Sequence, residues 1–305
     1  MPPLHGLIAA TFTPMREDGS LWLERVVDLV DLLVARGVDG LYVCGSTGEG
    51  PLLTGAERRA VAEAYVRAAR GRVPVVVQVG HASLAEAREL AAHAQAAGAD
   101  AISATPPTYF RPNGLDGVVD AIAAVAGGAP ELPFFYYHIP PITGVQVDVA
   151  RLLPRGAERV PNLAGVKFSS PTVHEFLGVD LERFRVLFGV DEMLIAGLVA
   201  GAHGAVGSTV NLIPGVYREL MTALDRADLA AALAHQRRAT ATVLRVVRDR
   251  PMPFLKATMA LTGVDVGPTR APLEPVTPAE LAALRDDLAA MGALADLTAG
   301  GPEAR

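Results

Sequence analysis

The chain has 305 residues and a net charge of −6, from 27 basic and 33 acidic side chains, and half of its residues are hydrophobic. The basic residues are scattered rather than gathered into a stripe, so nothing points to nucleic acid or to an anionic membrane, and the expected partners are small molecules or further copies of the chain. A single cysteine, Cys44, excludes an internal disulfide framework and Cys-based zinc clusters and suits a reducing cytosol.

The opening, MPPLHGLIAATFTP, has neither a basic segment nor a long apolar core, so no signal peptide and a cytoplasmic location are expected. Short apolar runs then alternate with longer Ala/Leu/Arg/Glu segments of helical period. This predicts strands over Gly6–Thr11, Gly40–Cys44, Val75–Val79, Ala101–Ala104, Pro133–Tyr137, Leu163–Phe168, Arg185–Phe188 and Ala205–Gly207. Helices over Leu21–Arg36, Ala56–Arg70 and Leu84–Ala97 each run into a glycine stop, Gly37, Gly71 and Gly98. Thr54 is placed to cap the second helix, and Ser83 with Glu86 reads as a capping box for the third. The uncharged run from Met193 to Tyr217 reaches membrane-spanning length. His203, Ser208, Thr209, Asn211 and Pro214 interrupt it, however, so it reads as a buried helix followed by a strand.

Eight strands alternating with helices, with no dinucleotide fingerprint after the first, predict an α/β fold, a (β/α)8 TIM barrel with a C-terminal α-helical extension. The barrel is expected over 1–213 and the packed helices over 214–295, with 296–305 as a fraying tail. Chemistry in such barrels sits at the carboxyl ends of the strands. Those ends carry Gly45-Ser46-Thr47-Gly48-Glu49-Gly50, Thr105 to Phe110, Tyr136-Tyr137-His138, Lys167, Gly189-Val190-Asp191-Glu192 and Gly207-Ser208-Thr209.

Among the 27 basic residues only Lys167 and Lys256 are lysine, which leaves 25 arginines. A strand-end lysine can simply reach solvent. Buried, it loses proton affinity and becomes an amine able to attack a carbonyl, which a guanidinium cannot do. Lys256, in the helical extension, is assigned a structural or surface role. The GSTGEG segment is either a glycine turn or an anion cradle in which backbone N–H groups and the Ser46 and Thr47 hydroxyls meet a carboxylate; it lacks the Lys-Ser/Thr ending of a P-loop. Tyr137 is either a core tyrosine with a wet hydroxyl or a proton shuttle facing Lys167. Asp191 and Glu192 either cap the following helix or accept hydrogen bonds from substrate hydroxyls. His138 and Asp191 show no metal-ligand spacing, so no metal is expected.

Taken in order, the GSTGEG loop, Tyr137-His138-Ile139-Pro140 with Thr143-Gly144, and the lysine after the sixth strand resemble the pyruvate-dependent class I aldolases that include dihydrodipicolinate synthase and N-acetylneuraminate lyase. The resemblance runs from about Gly6 to Pro272. YYHIPPITG, GVDE and GAVGSTVN look most like the lyase branch, and Ile142 stands where the synthase branch has an arginine.

The resemblance implies a Schiff base between Lys167 and the C2 ketone of a 2-keto sugar acid, cleaved reversibly to pyruvate and N-acetylmannosamine. Ser46, Thr47 and the Gly48 amide would hold the carboxylate and Tyr137 would move the proton. Ser169, Gly189, Asp191, Glu192 and Ser208 would bind the polyhydroxylated tail. It further implies a homotetramer and no external cofactor, the imine through Lys167 serving as electron sink. Phe110 stands where relatives carry a tyrosine that reaches in from a neighbouring subunit, with Tyr109 beside it, and Val210 stands where the lyases commonly have tyrosine. The alternatives are another aldolase or hydratase-aldolase of the same scaffold, acting on a 2-keto-3-deoxy sugar acid or resembling dihydrodipicolinate synthase, or a catalytically silent sugar-acid-binding barrel.

Overall fold

The structure, a computed structural model, describes residues 4–247 and 250–299. Eight parallel strands close into a barrel in sequence order. In chain order its first half is β1 (Gly6–Ala10), α1 (Arg25–Ala35), β2 (Gly40–Val43), α2 (Gly55–Ala69), β3 (Val75–Gln78), α3 (Leu84–Ala96), β4 (Ala101–Ala104) and α4 (Gly114–Ala126). The second half is β5 (Phe134–His138), α5 (Pro140–Thr143), α6 (Val149–Ala157), β6 (Leu163–Phe168), β7 (Arg185–Phe188), α7 (Leu194–Val199), β8 (Gly204–Gly207) and α8 (Pro214–Asp225). Then come α9 (Leu229–Val246), α10 (Pro251–Thr258), α11 (Pro278–Ala290) and α12 (Leu294–Thr298).

Every predicted strand is present, with ends within one residue, and the uncharged run from Met193 onward is the helix α7 followed by β8. No described helix is long and apolar enough to cross a membrane. Gly37, Gly71 and Gly98 take the left-handed φ that ends a helix. Thr54 and Glu57 form a reciprocal capping box at α2. At α3 only half of the expected box exists: Ser83 accepts from the Glu86 amide, while the Glu86 carboxylate turns to Arg59 at 3.0 Å. α1 begins at Arg25, four residues later than expected, because Leu21 pairs with Met15 in an antiparallel bridge and the Trp22 amide donates to Pro14 O. After β6 a single 3-10 turn, Val173–Phe176, stands where a barrel helix would lie.

α8 follows β8 and packs on β1, so it takes the place of the eighth barrel helix, although the sequence reading grouped it with the extension. The expected fraying tail is likewise corrected at its start. Asp296 lies within α12 and pairs with Arg238, and Leu297 is fully buried. Residues 300–305 lie outside the described residues.

The barrel interior is filled by Ile8, Ala10, Tyr42, Val76, Ala101, Phe135, Tyr137, Leu187 and Val206. A larger apolar shell, with Val43, Phe134, Val166, Phe168 and Phe188, lies between strands and helices. This is the two-layer division that a barrel's alternating strand faces produce. One irregularity matters for the site. Phe134 pairs with Leu163 but Phe135 pairs with Gly165, so β6 carries one extra residue. Continuous pairing from Phe134 would set Tyr137 beside Val166. The bulge sets it beside Lys167 instead and reverses which face of β6 looks inward.

Candidate active site

A cavity of about 310 Å³ opens at the carboxyl end of the strands. Its lining includes Ser46, Thr47, Tyr137, Lys167, Ser169, Gly189, Asp191, Glu192 and Ser208, nine of the residues singled out in the sequence. Gly48 is buried in the same loop, next to the lining residue Thr47. Tyr109 and Phe110 stand apart from it. They are 83% and 86% exposed and stack edge to face on each other at 4.9 Å, away from this protomer's cavity lining.

Lys167 is only 4% exposed. Its Nζ donates to Ser169 Oγ at 2.9 Å and lies 3.9 Å from the centre of the Tyr137 ring and 5.3 Å from that of Tyr42. Gly189 makes this arrangement possible, since a Cβ there would collide with Ser169 Oγ and crowd Lys167 Nζ. Burial alone would push the Tyr137 phenol up, but the Lys167 charge and the polar side chains of Lys167, Ser46 and Ser169 outweigh it, and the phenol sits below the ordinary tyrosine range.

Thr47 Oγ1 and Ser208 Oγ share a hydrogen bond of 2.6 Å, which joins the loop after β2 to the end of β8. Asp191 caps no helix. Its Oδ2 accepts from the Thr209 amide at 2.8 Å and from Thr209 Oγ1 at 2.6 Å, and burial raises its pKa above the ordinary aspartate value against the pull of those bonds. Glu192 is exposed at the cavity rim, and its backbone oxygen accepts from Thr240 Oγ1 on α9. Among the described residues no three His, Cys, Asp or Glu side chains gather as a metal cluster. His138 instead lies against Glu175 at 3.4 Å and stacks on Phe168.

Sequence reasoning missed three groups. Tyr42 lines the cavity beneath Lys167, edge-on to Tyr137 at 5.8 Å, with its hydroxyl donating to Ser103. Its inward position one residue before the end of β2 was a readable signal. Thr209, which stands at the end of β8 beside Ser208 and has no role assigned from the sequence, binds Asp191. Val243, Val247, Pro251 and Leu255 form an apolar wall contributed by the helical extension, which no strand-end inspection would reach.

The dihydrodipicolinate synthetase family model matches residues 3–291. The chain belongs to that family. Within it, the chain is 40% identical over 282 residues to N-acetylneuraminate lyase of Rattus norvegicus, a match covering 90% of this chain and 88% of the relative. The solved N-acetylneuraminate lyase of Proteus mirabilis superposes with a TM-score of 0.90 at 36% identity, over 94% of this chain and 98% of that one. The corresponding enzyme of Aliivibrio salmonicida gives 0.91 at 32% identity, over 95% and 98%. The synthetase family thus accounts for both the barrel and the helices that follow it.

Proposed function

We propose that this protein is a Schiff-base aldolase of the N-acetylneuraminate lyase type, cleaving N-acetylneuraminate reversibly to pyruvate and N-acetylmannosamine. The observation that carries the reading is the buried Lys167 amine, set among Ser169, Tyr137 and Tyr42 in a cavity that has the hydroxyls of Ser46, Thr47 and Ser208 on one part of its lining and an apolar wall on another. The relatives named N-acetylneuraminate lyase support the choice of substrate.

In this mechanism the Ser46 and Thr47 hydroxyls and the Gly48 amide receive the substrate carboxylate. The unprotonated Lys167 amine attacks the C2 ketone, and the carbinolamine hydroxyl leaves as water with the proton of the Tyr137 phenol, which gives an iminium and a phenolate. Tyr137, whose phenol is held below its ordinary range by the neighbouring positive charge, takes the proton of the C4 hydroxyl as phenolate. The C3–C4 bond breaks, its electron pair moves into the iminium to form an enamine, and the aldehyde leaves. Protonation at C3 and hydrolysis release pyruvate and restore the amine. Because the iminium is the electron sink, the reaction so written uses no external cofactor or metal. Ser169, Gly189, Asp191, Glu192 and Ser208 are proposed to contact the sugar tail. A homotetramer in the cytoplasm completes the reading, the exposed Tyr109–Phe110 pair being suited to a neighbouring subunit.

The deciding experiment compares pyruvate release from N-acetylneuraminate with release from 2-keto-3-deoxygluconate. Preference for the former supports the assignment, and the reverse preference moves the protein to another branch of the family. Incubation with pyruvate and borohydride is expected to add a stable mass to Lys167, and no addition would remove the aldolase mechanism.

A further inference from the structure

The second lysine lies outside the mechanism, yet among the described residues it is the most completely buried cation. Lys256 Nζ donates to Glu49 Oε1 at 2.6 Å, and both side chains have no solvent exposure. Glu49 belongs to the GSTGEG loop and follows the residues proposed to hold the carboxylate. Its backbone takes a left-handed φ of 53°, a conformation that a non-glycine residue keeps only where its surroundings enforce it. Gly50 is equally constrained, since a Cβ there would strike the Cys44 carbonyl.

Local bonds close the loop: the Glu49 amide donates to Ser46 O and the Gly50 amide to Gly45 O, both at 3.0 Å, and Thr13 Oγ1 donates to Gly48 O at 2.6 Å. The remaining anchor comes from the C-terminal extension, Lys256 on α10 and Arg270 in the segment before α11. Glu49 Oε2 accepts from the Arg270 amide at 2.8 Å, while the Arg270 guanidinium donates to Leu52 O and to Glu57. With one carboxylate oxygen already taken by a backbone N–H, a two-pronged guanidinium has no fork to match, whereas a compact ammonium fits the other oxygen. This accounts for a lysine at 256 in a chain that otherwise uses arginine.

We propose that the Lys256–Glu49 ion pair is a positioning device for the substrate carboxylate: it ties the C-terminal extension to the GSTGEG loop and fixes Thr47 and Gly48 in the shape that receives a 2-keto acid. The inference rests on the aldolase reading above. Lys256 and Glu49 touch no substrate, and their effect is exerted through the loop.

The test is borohydride trapping on Lys167 as a function of ketone concentration, with pyruvate and with acetone, which has the ketone but lacks the carboxylate. In Lys256→Met the half-saturating pyruvate concentration is expected to rise about tenfold or more, the scale of one misaligned hydrogen bond to a charged group. The acetone value should change less than about twofold on the same scale. Pyruvate and acetone moving together, or neither moving, would overturn the proposal. If Lys256→Met does not fold, Glu49→Gln and the charge-free pair Lys256→Met/Glu49→Gln carry the same test with the same expected and overturning results. Failure of the wild-type chain to trap pyruvate at all would overturn the aldolase reading and this inference with it, whereas wild-type trapping with an unmoved variant overturns the inference alone.

Discussion

Lys167 and Lys256 are buried amines of one chain, placed in opposite electrostatic surroundings. Lys256 faces a carboxylate at 2.6 Å and has nowhere to react. Among the described residues Lys167 has no ion-pair partner; it faces a hydroxyl, two aromatic rings and an open cavity. A buried ammonium with a good partner becomes architecture, while one given neutral dipoles and a space for a ketone remains available for chemistry. Burial alone therefore does not mark a reactive lysine. What the amine faces decides it.

The largest effect expected from breaking this contrast is at Lys167. Lys167→Ala should lower cleavage on the order of 10⁴-fold or more, as loss of a covalent nucleophile does, and abolish borohydride trapping while circular dichroism shows the barrel intact. Surviving turnover would place the nucleophile elsewhere. Tyr137→Phe comes next: cleavage should fall by roughly 10²–10⁴-fold, the range of general acid–base assistance, with pyruvate still trapped on Lys167. Equal loss of trapping and cleavage would mean that the phenol shapes the imine rather than moving the proton.

At the other lysine the expected loss is first one of stability. Lys256→Met leaves the Glu49 carboxylate buried without its cation, which costs roughly 3–5 kcal/mol, read as a lower denaturant midpoint at unchanged slope. The double variant Lys256→Met/Glu49→Gln should recover most of that loss, because no net charge remains buried. If the single and double variants unfold alike, packing rather than charge holds this joint.

This contrast was only half visible in the sequence. The strands, the polar types at their ends and the oddity of two lysines among arginines could all be read, because each is local. The partner of Lys256 lies 207 residues away and has no local signature. The inward aim of Lys167 also depends on the bulge in β6. Simple alternation from Leu163 would put Lys167 on the face of Leu163, which packs in the outer shell, and only the extra residue turns the amine into the barrel. The short helix α5 was not anticipated; it starts on Pro140-Pro141, proline being tolerated in a first helical turn. The half-formed box at Ser83 failed for a tertiary reason, Arg59 offering Glu86 a charged partner.

A third buried base, beside the reactive pair, sharpens the comparison with the smallest expected effect. His138 follows Tyr137, is fully buried, and meets Glu175 at 3.4 Å, a longer approach than the 2.6 Å of Lys256 to Glu49. Burial lowers its pKa below the ordinary histidine value, and the Glu175 charge only partly opposes this. The folded chain therefore holds His138 neutral where the unfolded chain, titrating near 6.5, binds a proton. Between the folded value and about 6.5 the unfolded state carries more protons, so stability falls as the pH is lowered through that window, with a slope from this one group of at most about 1.4 kcal/mol per pH unit. His138→Gln removes the titration while keeping a polar group opposite Glu175. The difference in unfolding free energy between wild type and variant, measured from pH 7.5 to 5, should shift in the variant's favour toward the acid end, the other histidines cancelling in the difference. A difference that moves in the wild type's favour toward the acid end would mean that the folded chain keeps a proton on His138 against Glu175. The pair would then belong with Lys256 and Glu49 as a charged joint, and a longer contact under full burial would suffice to hold a cation.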